Sequence, residues 1–438
     1  MASLFSNLTL NGDADNPKLT HQPGSVFSSA ALVAGTTVGA GVLALPAVTY
    51  PVGVIPSTVL MVLAWLYMLA SGLLVAEANL WAMRVSGRPE LGLLATVARL
   101  LGKSGAIASG VLYIFIHYAL LVAYIARGGD ILAAVLDRLG NHTTSLQAIP
   151  LWLGHVVFVL LLGGVLYFCS TRVVGWLNIA LVVIVIATFG LLVGLTAEQV
   201  EPSRWQVQHW EAIGLAVPVM FVAFVYQNVV PVVTTQLEGD GQRVRWAIGL
   251  GSLVPLAMFA LWNVVILGSM QWDGVIATGD VVDPLELLRL GVGHPRIGAV
   301  VSIFSEVAIA TSFIGFVFGL LSVFEDIFAG LMTTSAMWVK RSKKLFFYSL
   351  VLLPPLALSV LDPNIFYNAI DVAGAYGNSI LFGIIPAVMV WKFRYPTILS
   401  QEGDISDQSH TLVPGGKGLL LLMISIAIAV IIQNVMLK

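Results

Sequence analysis

Eleven apolar runs of about 20 residues dominate the chain and restrict the folds open to it. A helix of that length rises about 30 Å, the thickness of the hydrocarbon core of a bilayer. Only 10% of the 438 residues are charged, whereas about a quarter of the residues of a soluble domain carry charge. The sequence therefore predicts an all-α polytopic membrane protein with eleven transmembrane helices. The predicted spans are residues 25–50, 55–83, 106–136, 150–168, 174–196, 212–236, 245–270, 297–332, 345–361, 366–391 and 418–437.

The distribution of Lys and Arg between the loops predicts the orientation, because cytoplasmic loops of membrane proteins carry a positive excess. Fifteen of these residues fall on the side of the N-terminal tail and five on the opposite side, while Arg127 lies within the third span. The N-terminus is therefore expected in the cytoplasm and the C-terminus outside. A net charge of −2 without a large basic cluster argues against a nucleic-acid partner. The single cysteine, Cys169, excludes an internal disulfide.

The first span is interrupted by three glycines and a proline in the stretch Gly35-Thr-Thr-Val-Gly-Ala-Gly-Val-Leu-Ala-Leu-Pro46. Lipid cannot satisfy the backbone groups that such a break exposes, so non-helical backbone at membrane depth must be buried in protein or line a cavity. Broken helices of this kind hold charged solutes in many transporters. The alternative is that Gly35 and Gly39 only form a small-residue packing face.

A second interruption lies in the sixth span, where Pro218 and Pro231 frame the polar triplet Tyr226-Gln227-Asn228. Interruptions at corresponding positions of two halves are typical of inverted repeats, with a substrate site between them near the membrane midplane. The expected organisation is a cytoplasmic tail (1–24), a first five-helix repeat (25–200), a second inverted repeat (210–391), a cytoplasmic loop (392–417) and an eleventh helix (418–438).

The first-span motif, together with eleven spans, resembles the aromatic amino acid permeases, which are the tyrosine- and tryptophan-specific transport proteins of bacteria. Residues 224–231, 374–378 and 382–386 are similar to the sixth and tenth spans of that family. Gln227 stands where many family members carry His. The resemblance implies a leucine-transporter-like fold with a 5+5 inverted repeat and an extra helix 11, in the bacterial plasma membrane. It also implies symport of an aromatic amino acid with protons, with tyrosine the first expectation and tryptophan the next. No cofactor is expected, and the expected partners are the amino acid and the lipid bilayer.

The first break offers groups that suit both ends of an amino acid zwitterion. Amides at the start of its second half-helix point toward a carboxylate, and carbonyls at the end of its first half-helix face an ammonium group. Glycine is needed there because it permits close approach of the solute to the backbone. The predicted residues are Gly35, Thr36, Thr37, Gly39, Ala40 and Gly41.

Two other spans contribute candidate contacts to the substrate. Residues of the sixth span offer an aromatic wall and amide groups, and those of the third span lie about 16 Å from its start, close to the midplane. For the histidine, a neutral ring bonded to a nearby carbonyl is the competing interpretation. The predicted residues are Phe224, Tyr226, Gln227, Asn228, Tyr113 and His117.

The coupling ion has two sets of candidates. In sodium-coupled relatives of the fold, the eighth-span pattern Ala308-x-x-Thr311-Ser312 and first-span carbonyls matching Gly35 and Val38 form a sodium site. Alternatively, the two hydroxyls bond the carbonyls of their own helix. For protons, the candidates are the intramembrane ionisable groups, namely Glu77, Glu306, Asp371 and His117.

Other functions are less favoured by the sequence. It contains no HExxH, GxSxG or Walker motif that would indicate a membrane-embedded enzyme. It also lacks a repeated filter-like loop that would indicate a channel. Sodium-coupled transport of another neutral amino acid in the same fold is the main alternative.

Overall fold

A computed structural model describes residues 24–39, 41–87, 90–140, 150–206, 208–269, 295–328, 337–362, 365–395 and 411–437. Within these ranges, ten helices are long and apolar enough to cross a membrane, and the number is eleven when a bent pair of shorter helices is counted as one span. The spans, numbered in chain order, are Val26–Thr37 with Gly41–Thr49 (span 1), Val54–Ser86, Leu93–Gly140, Leu151–Phe168, Thr171–Ala197, Ile213–Ala223 with Val230–Gln236 (span 6), Gly241–Ser269, Pro295–Phe328, Met337–Leu361, Ile365–Arg394 and Gly416–Leu437 (span 11).

Each of the eleven predicted spans corresponds to one of these helical crossings. Span 3 begins earlier than predicted, because a short helix precedes the crossing and joins it at Gly102. The backbone there has φ 78° and ψ −176°, in the region that favours glycine. The expected tail and most of the expected loop at 392–417 lie outside the described residues, apart from their edges.

Both predicted interruptions are present in the backbone. The two halves of span 1, which end at Thr37 and begin at Gly41, are bent by 56° relative to each other. In span 6 the first half ends at Ala223, and Phe224 and Tyr226 have non-helical dihedral angles before a single 3-10 turn leads into the second half. Spans 1 and 6 are therefore discontinuous helices.

Span 10 has a feature that the sequence did not predict. Its middle, Ala373–Ile384, is π-helical, between α-helical segments on both sides. The Ser379 hydroxyl donates to the carbonyl of Gly374, five residues earlier, at 3.1 Å. π-Helical segments are rare, and those that do occur are frequently found at functional sites.

The spans pack so that the two broken helices lie inside the bundle. The first half of span 1 packs mainly on span 7, and its second half packs on the first half of span 6. Span 8 packs on spans 3 and 5, while span 10 contacts spans 3, 6 and 11. Span 10 thus links the pair of broken helices to span 3.

Buried polar bridges fix the halves of the broken spans to their neighbours. At the end of span 1, the Thr49 hydroxyl donates to Asn263 Oδ1 at 2.6 Å, and Asn263 Nδ2 donates to Ser57 at 2.8 Å. In the second half of span 6, the Thr234 hydroxyl donates to Asn79 Oδ1. These side chains are fully buried, and unmade hydrogen bonds there would cost about 1–3 kcal/mol each. The bridges therefore position the two breaks.

Candidate functional site

The two breaks meet inside the bundle. A β-carbon added to Gly41, which begins the second half of span 1, would lie 3.0 Å from the Cα of Ala223, which ends the first half of span 6. This approach depends on glycine, since 3.0 Å is tighter than ordinary contact between a β-carbon and its neighbours. The structure thus brings together the two interruptions that the sequence predicted.

Span 8 also contacts the break in span 1, at Gly39. A β-carbon on Gly39 would overlap the hydroxyl of Ser312, and the side chain of Ser312 is also hydrogen-bonded to Tyr124 of span 3. Tyr124 is buried and lies edge-to-face against Phe316, with ring centroids 5.5 Å apart. Two hydroxyls, on spans 3 and 8, therefore lie beside the break in span 1. Ala40, predicted in this group, lies outside the described residues.

The remaining first-span candidates lie at the end of the first half-helix. Thr36 and Thr37 donate their hydroxyls to the carbonyls of Leu32 and Val33, at 2.7 and 2.8 Å. Gly35 is exposed, and no atom of the described residues lies within 4 Å of an added β-carbon there. The helix ends at Thr37, and the amide of the extended Val38 bonds the carbonyl of Ala34 at 2.9 Å. The carbonyls of Gly35, Thr36 and Thr37 therefore lie beyond the last amide of the helix.

Three of the predicted sixth-span side chains are bound to neighbouring helices. Phe224 packs against Phe259 of span 7, with ring centroids 5.3 Å apart. The Tyr226 hydroxyl and Gln227 Nε2 both donate to the carbonyl of Met68 in span 2, at 3.2 and 3.1 Å. All three side chains are buried, so they support the break rather than leaving polar groups free for a solute.

Asn228 differs from these neighbours. It is partly exposed, and its Oδ1 atom is buried with no hydrogen-bond partner in the described ranges. A buried amide oxygen without a partner is uncommon and calls for an explanation. Of the predicted sixth-span residues, Asn228 is the one whose side chain retains an unused polar atom.

The predicted third-span residues lie against span 8. The rings of Tyr113 and His117 stack at 3.9 Å between centroids, and His117 Nδ1 lies 2.8 Å from the Tyr113 carbonyl. A β-carbon on Gly319 would lie 2.9 Å from His117 Nε2. His117 therefore has a contact with a nearby backbone carbonyl, which is the predicted alternative to substrate contact.

The hydroxyls of the two predicted sodium ligands in span 8, Thr311 and Ser312, have different partners. The hydroxyl of Thr311 donates to the carbonyl of Ala308 at 2.8 Å, which is the intrahelical bond anticipated as the alternative. Ser312 instead faces Gly39 and Tyr124. Ala308 is fully buried and Val38 partly buried.

The acidic proton candidates each have partners. Glu77 is buried in a bidentate ion pair with Arg394, with oxygen–nitrogen distances of 2.6 and 2.5 Å. The Asp371 carboxylate accepts from Asn434 Nδ2 at 2.6 Å. Glu306 is half-buried in span 8 and also has a partner.

Two residues near the breaks were missed as site candidates. Tyr124 lies seven residues after His117, on the same helix face, and this spacing could have identified it. Asn378 was noted only as part of the tenth-span motif. It is 1% exposed, and within the described part of the chain neither the oxygen nor the nitrogen of its amide has a hydrogen-bond partner.

Within the described residues, a helical bundle in which two discontinuous helices are in contact is typical of membrane transporters. A sequence model of the tryptophan/tyrosine permease family matches residues 22–434. The chain therefore belongs to the tryptophan/tyrosine permease family, and it is a multi-pass membrane transport protein rather than an enzyme.

Individual relatives agree with this assignment. A tryptophan-specific transport protein of Pseudomonas aeruginosa is 30% identical over 387 residues, covering 84% of this chain and 87% of the relative. Tyrosine-specific transport system 1 of Haemophilus influenzae is 27% identical over 373 residues, covering 84% and 88%. The crystal structure of MhsT in complex with L-phenylalanine is similar with a TM-score of 0.55 over 94% of this chain and 98% of that one, at 14% identity. That likeness shows the leucine-transporter fold.

Proposed function

We propose that this protein is a symporter that carries an aromatic amino acid, tyrosine or tryptophan, into a bacterium and is driven by the proton gradient. The observation that carries the proposal is the meeting of the two breaks, where Gly41 lies against Ala223 and Gly39 against Ser312. Relatives named as tryptophan-specific and tyrosine-specific transport proteins support the substrate class.

The carboxylate of the amino acid binds at the start of the second half of span 1. The first amides of a helix have no intrahelical acceptors and carry the positive end of its dipole, so they suit an anion. Gly39 and Gly41 present this backbone without side chains that would block it. The hydroxyls of Ser312 and Tyr124 lie beside it as further donors.

The ammonium group binds at the end of the first half of span 1. The carbonyls of Gly35, Thr36 and Thr37 end that helix and form the negative end of its dipole. A charged group stripped of water in a membrane requires such partners, because leaving it unpaired costs several kcal/mol or more. The two ends of one broken helix thereby hold both charges of the zwitterion.

The aromatic ring extends toward span 6, where the unused amide oxygen of Asn228 lies. Phe224, Tyr226 and Gln227 shape this region indirectly, since their contacts with spans 2 and 7 hold the broken backbone in place. Tyr113 and His117 lie beside the site, because both approach Gly319 of span 8, the helix that also carries Ser312.

Alternating access follows from two inverted five-helix repeats, residues 25–200 and 210–391, that move around this site, with helix 11 outside the repeats. The N-terminus lies in the cytoplasm and the C-terminus outside, as the fifteen-to-five distribution of Lys and Arg supports.

Sodium coupling is a second candidate. The observation that favours it is the placement of the Ser312 hydroxyl against Gly39, next to the carbonyls that end the first half of span 1. Oxygen ligands of this kind suit a hard cation. Among the proton candidates, His117, Glu306 and Asp371 remain, whereas the ion pair of Glu77 gives it a structural role.

The test is uptake of radiolabelled tyrosine and tryptophan into proteoliposomes, with pH and sodium gradients imposed separately. We expect accumulation against the concentration gradient when the outside is acidic, and its loss when a protonophore is added. Accumulation that requires sodium and ignores pH would replace the proton with sodium. Failure of both amino acids to enter or to compete under any gradient would refute the assigned substrate class.

A further inference from the structure

Asn378, in the π-helical part of span 10, has an amide that the fold leaves unused. The residue is 1% exposed, and neither its Oδ1 nor its Nδ2 atom has a hydrogen-bond partner among the residues that the structure describes. Burying an amide without hydrogen bonds costs about 1–3 kcal/mol. Asn263, a buried asparagine in span 7, uses both ends of its amide on Thr49 and Ser57. Asn378 therefore lacks the structural role that Asn263 has.

The contacts on either side of Asn378 show which way its helix face is turned. With i to i+5 bonding, residues four or five positions apart follow one face, so Gly374, Asn378 and Gly383 lie in line. A β-carbon on Gly374 would overlap the carbonyl of Pro218 in span 6. A β-carbon on Gly383 would overlap the Tyr67 hydroxyl, and the Tyr67 ring stacks on Phe221 of span 6 at 4.8 Å. This face is therefore turned toward spans 6 and 2.

The same contacts give the depth of Asn378 along span 6. Gly374 lies against Pro218, which precedes the break in span 6. The carbonyl of Phe382 accepts from the Ser71 hydroxyl, and that hydroxyl lies 3.4 Å from Nε2 of Gln227, which follows the start of the break. Asn378 is midway between Gly374 and Phe382. Its amide consequently lies at the depth where the first half of span 6 ends.

We propose that Asn378 selects substrates by hydrogen bonding to a polar atom on the aromatic ring. A primary amide offers two donors and an acceptor, so it can bond the phenol hydroxyl of tyrosine or accept from the indole N–H of tryptophan. Phenylalanine has no polar atom on its ring. The inference rests on the proposed function, because it assigns a selectivity residue to the same site.

The expected effect of Asn378→Ala is a change in preference among three substrates. One neutral hydrogen bond corresponds to about a tenfold change in affinity. We expect the apparent KM of tyrosine and tryptophan to rise about tenfold and that of phenylalanine to stay within about twofold. Asn263→Ala is the matched control, because it removes a buried amide with structural bonds. It should lower the amount of folded protein without changing the ratio of the three KM values.

The measurement is competition by the three amino acids in proteoliposomes containing each variant. If Asn378→Ala changes the apparent KM of all three substrates by the same factor, or changes none of them, the assignment of selectivity to Asn378 is overturned. Failure of the wild-type protein to take up any aromatic amino acid would instead refute the proposed function, which separates the two results.

A second variant covers the case in which Asn378→Ala does not fold. Cys169 is the only cysteine, so Asn378→Cys combined with Cys169→Ser introduces a single thiol. We expect saturating tyrosine to slow the reaction of this thiol with a small membrane-permeant reagent at least tenfold. Labelling at the same rate with and without tyrosine would contradict contact between residue 378 and the substrate.

Discussion

The buried ion pair between Glu77 and Arg394 allows a quantitative prediction of protein stability, which tests whether the Glu77 carboxylate is structural rather than a proton carrier. The Glu77 side chain is 5% exposed and that of Arg394 is 10% exposed. Arg394 donates to both oxygens of Glu77, at 2.6 and 2.5 Å, and the amide of Leu412 donates to Oε2 at 3.0 Å. Arg394 also donates to the carbonyl of Val413 at 3.1 Å. The pair therefore ties spans 2 and 10 to the segment that leads into span 11.

Removing one partner leaves the other charge buried without compensation, which costs about 3–5 kcal/mol. Glu77→Met should therefore destabilise the protein by that amount, and so should Arg394→Met. The double variant should recover most of the loss, because replacing a buried pair by apolar groups of similar volume is often neutral. With an unfolding entropy of about 2.1 cal/mol/K per residue, the single variants should melt about 3–5 °C lower.

The assay is thermal unfolding of detergent-purified protein, followed by proton-driven tyrosine uptake in proteoliposomes. We expect the double Met variant to melt near the wild-type temperature and to keep pH-dependent uptake. Normal stability of both single variants would refute the energetic reasoning. A stable double variant that no longer responds to the pH gradient would return Glu77 to the group of proton carriers.

Three other substitutions test the contacts around the breaks. Tyr124→Phe removes the bond to Ser312 and should raise the apparent KM of tyrosine, tryptophan and phenylalanine alike by about tenfold; unchanged competition curves would remove Tyr124 from the site. Gln227→Leu removes the bond to the Met68 carbonyl and should lower the melting temperature by about 1–3 °C, with substrate preference unchanged; a shifted preference would show that Gln227 contacts the substrate. Asn79→Ala breaks three bonds, which join span 2 to span 6, to span 3 and to Leu91 just before span 3. It should reduce the folded yield in fluorescence size-exclusion profiles, and a wild-type profile would contradict this structural role of Asn79.

The sequence was sufficient to predict the spans and the two breaks. Apolar runs and the glycines and prolines between them act locally, because in a bilayer each segment must satisfy its own backbone. The breaks in spans 1 and 6 occur beside residues such as Gly39, Gly41 and Pro231, which weaken or interrupt a helix through their own backbone chemistry.

The direction of individual side chains could not be predicted in the same way. Tyr226 and Gln227 are polar residues at a break, and only the position of span 2 shows that they bond Met68. Arg394 is 317 residues from Glu77, so their pairing depends on the packing of spans 2 and 10. The π-helical turn that places Asn378 depends on contacts of Gly374 and Gly383 with spans 6 and 2, which no local pattern records.

Tyrosine binding and uptake by Gly39→Leu, compared with Gly190→Leu, test most directly whether the break in span 1 holds the substrate. An added side chain at Gly39 meets Ser312, whereas Gly190 has open space around it and is exposed on span 5. We expect Gly39→Leu to reach the membrane and to lose both binding and uptake, while Gly190→Leu retains both. Wild-type binding and uptake by Gly39→Leu would contradict the account.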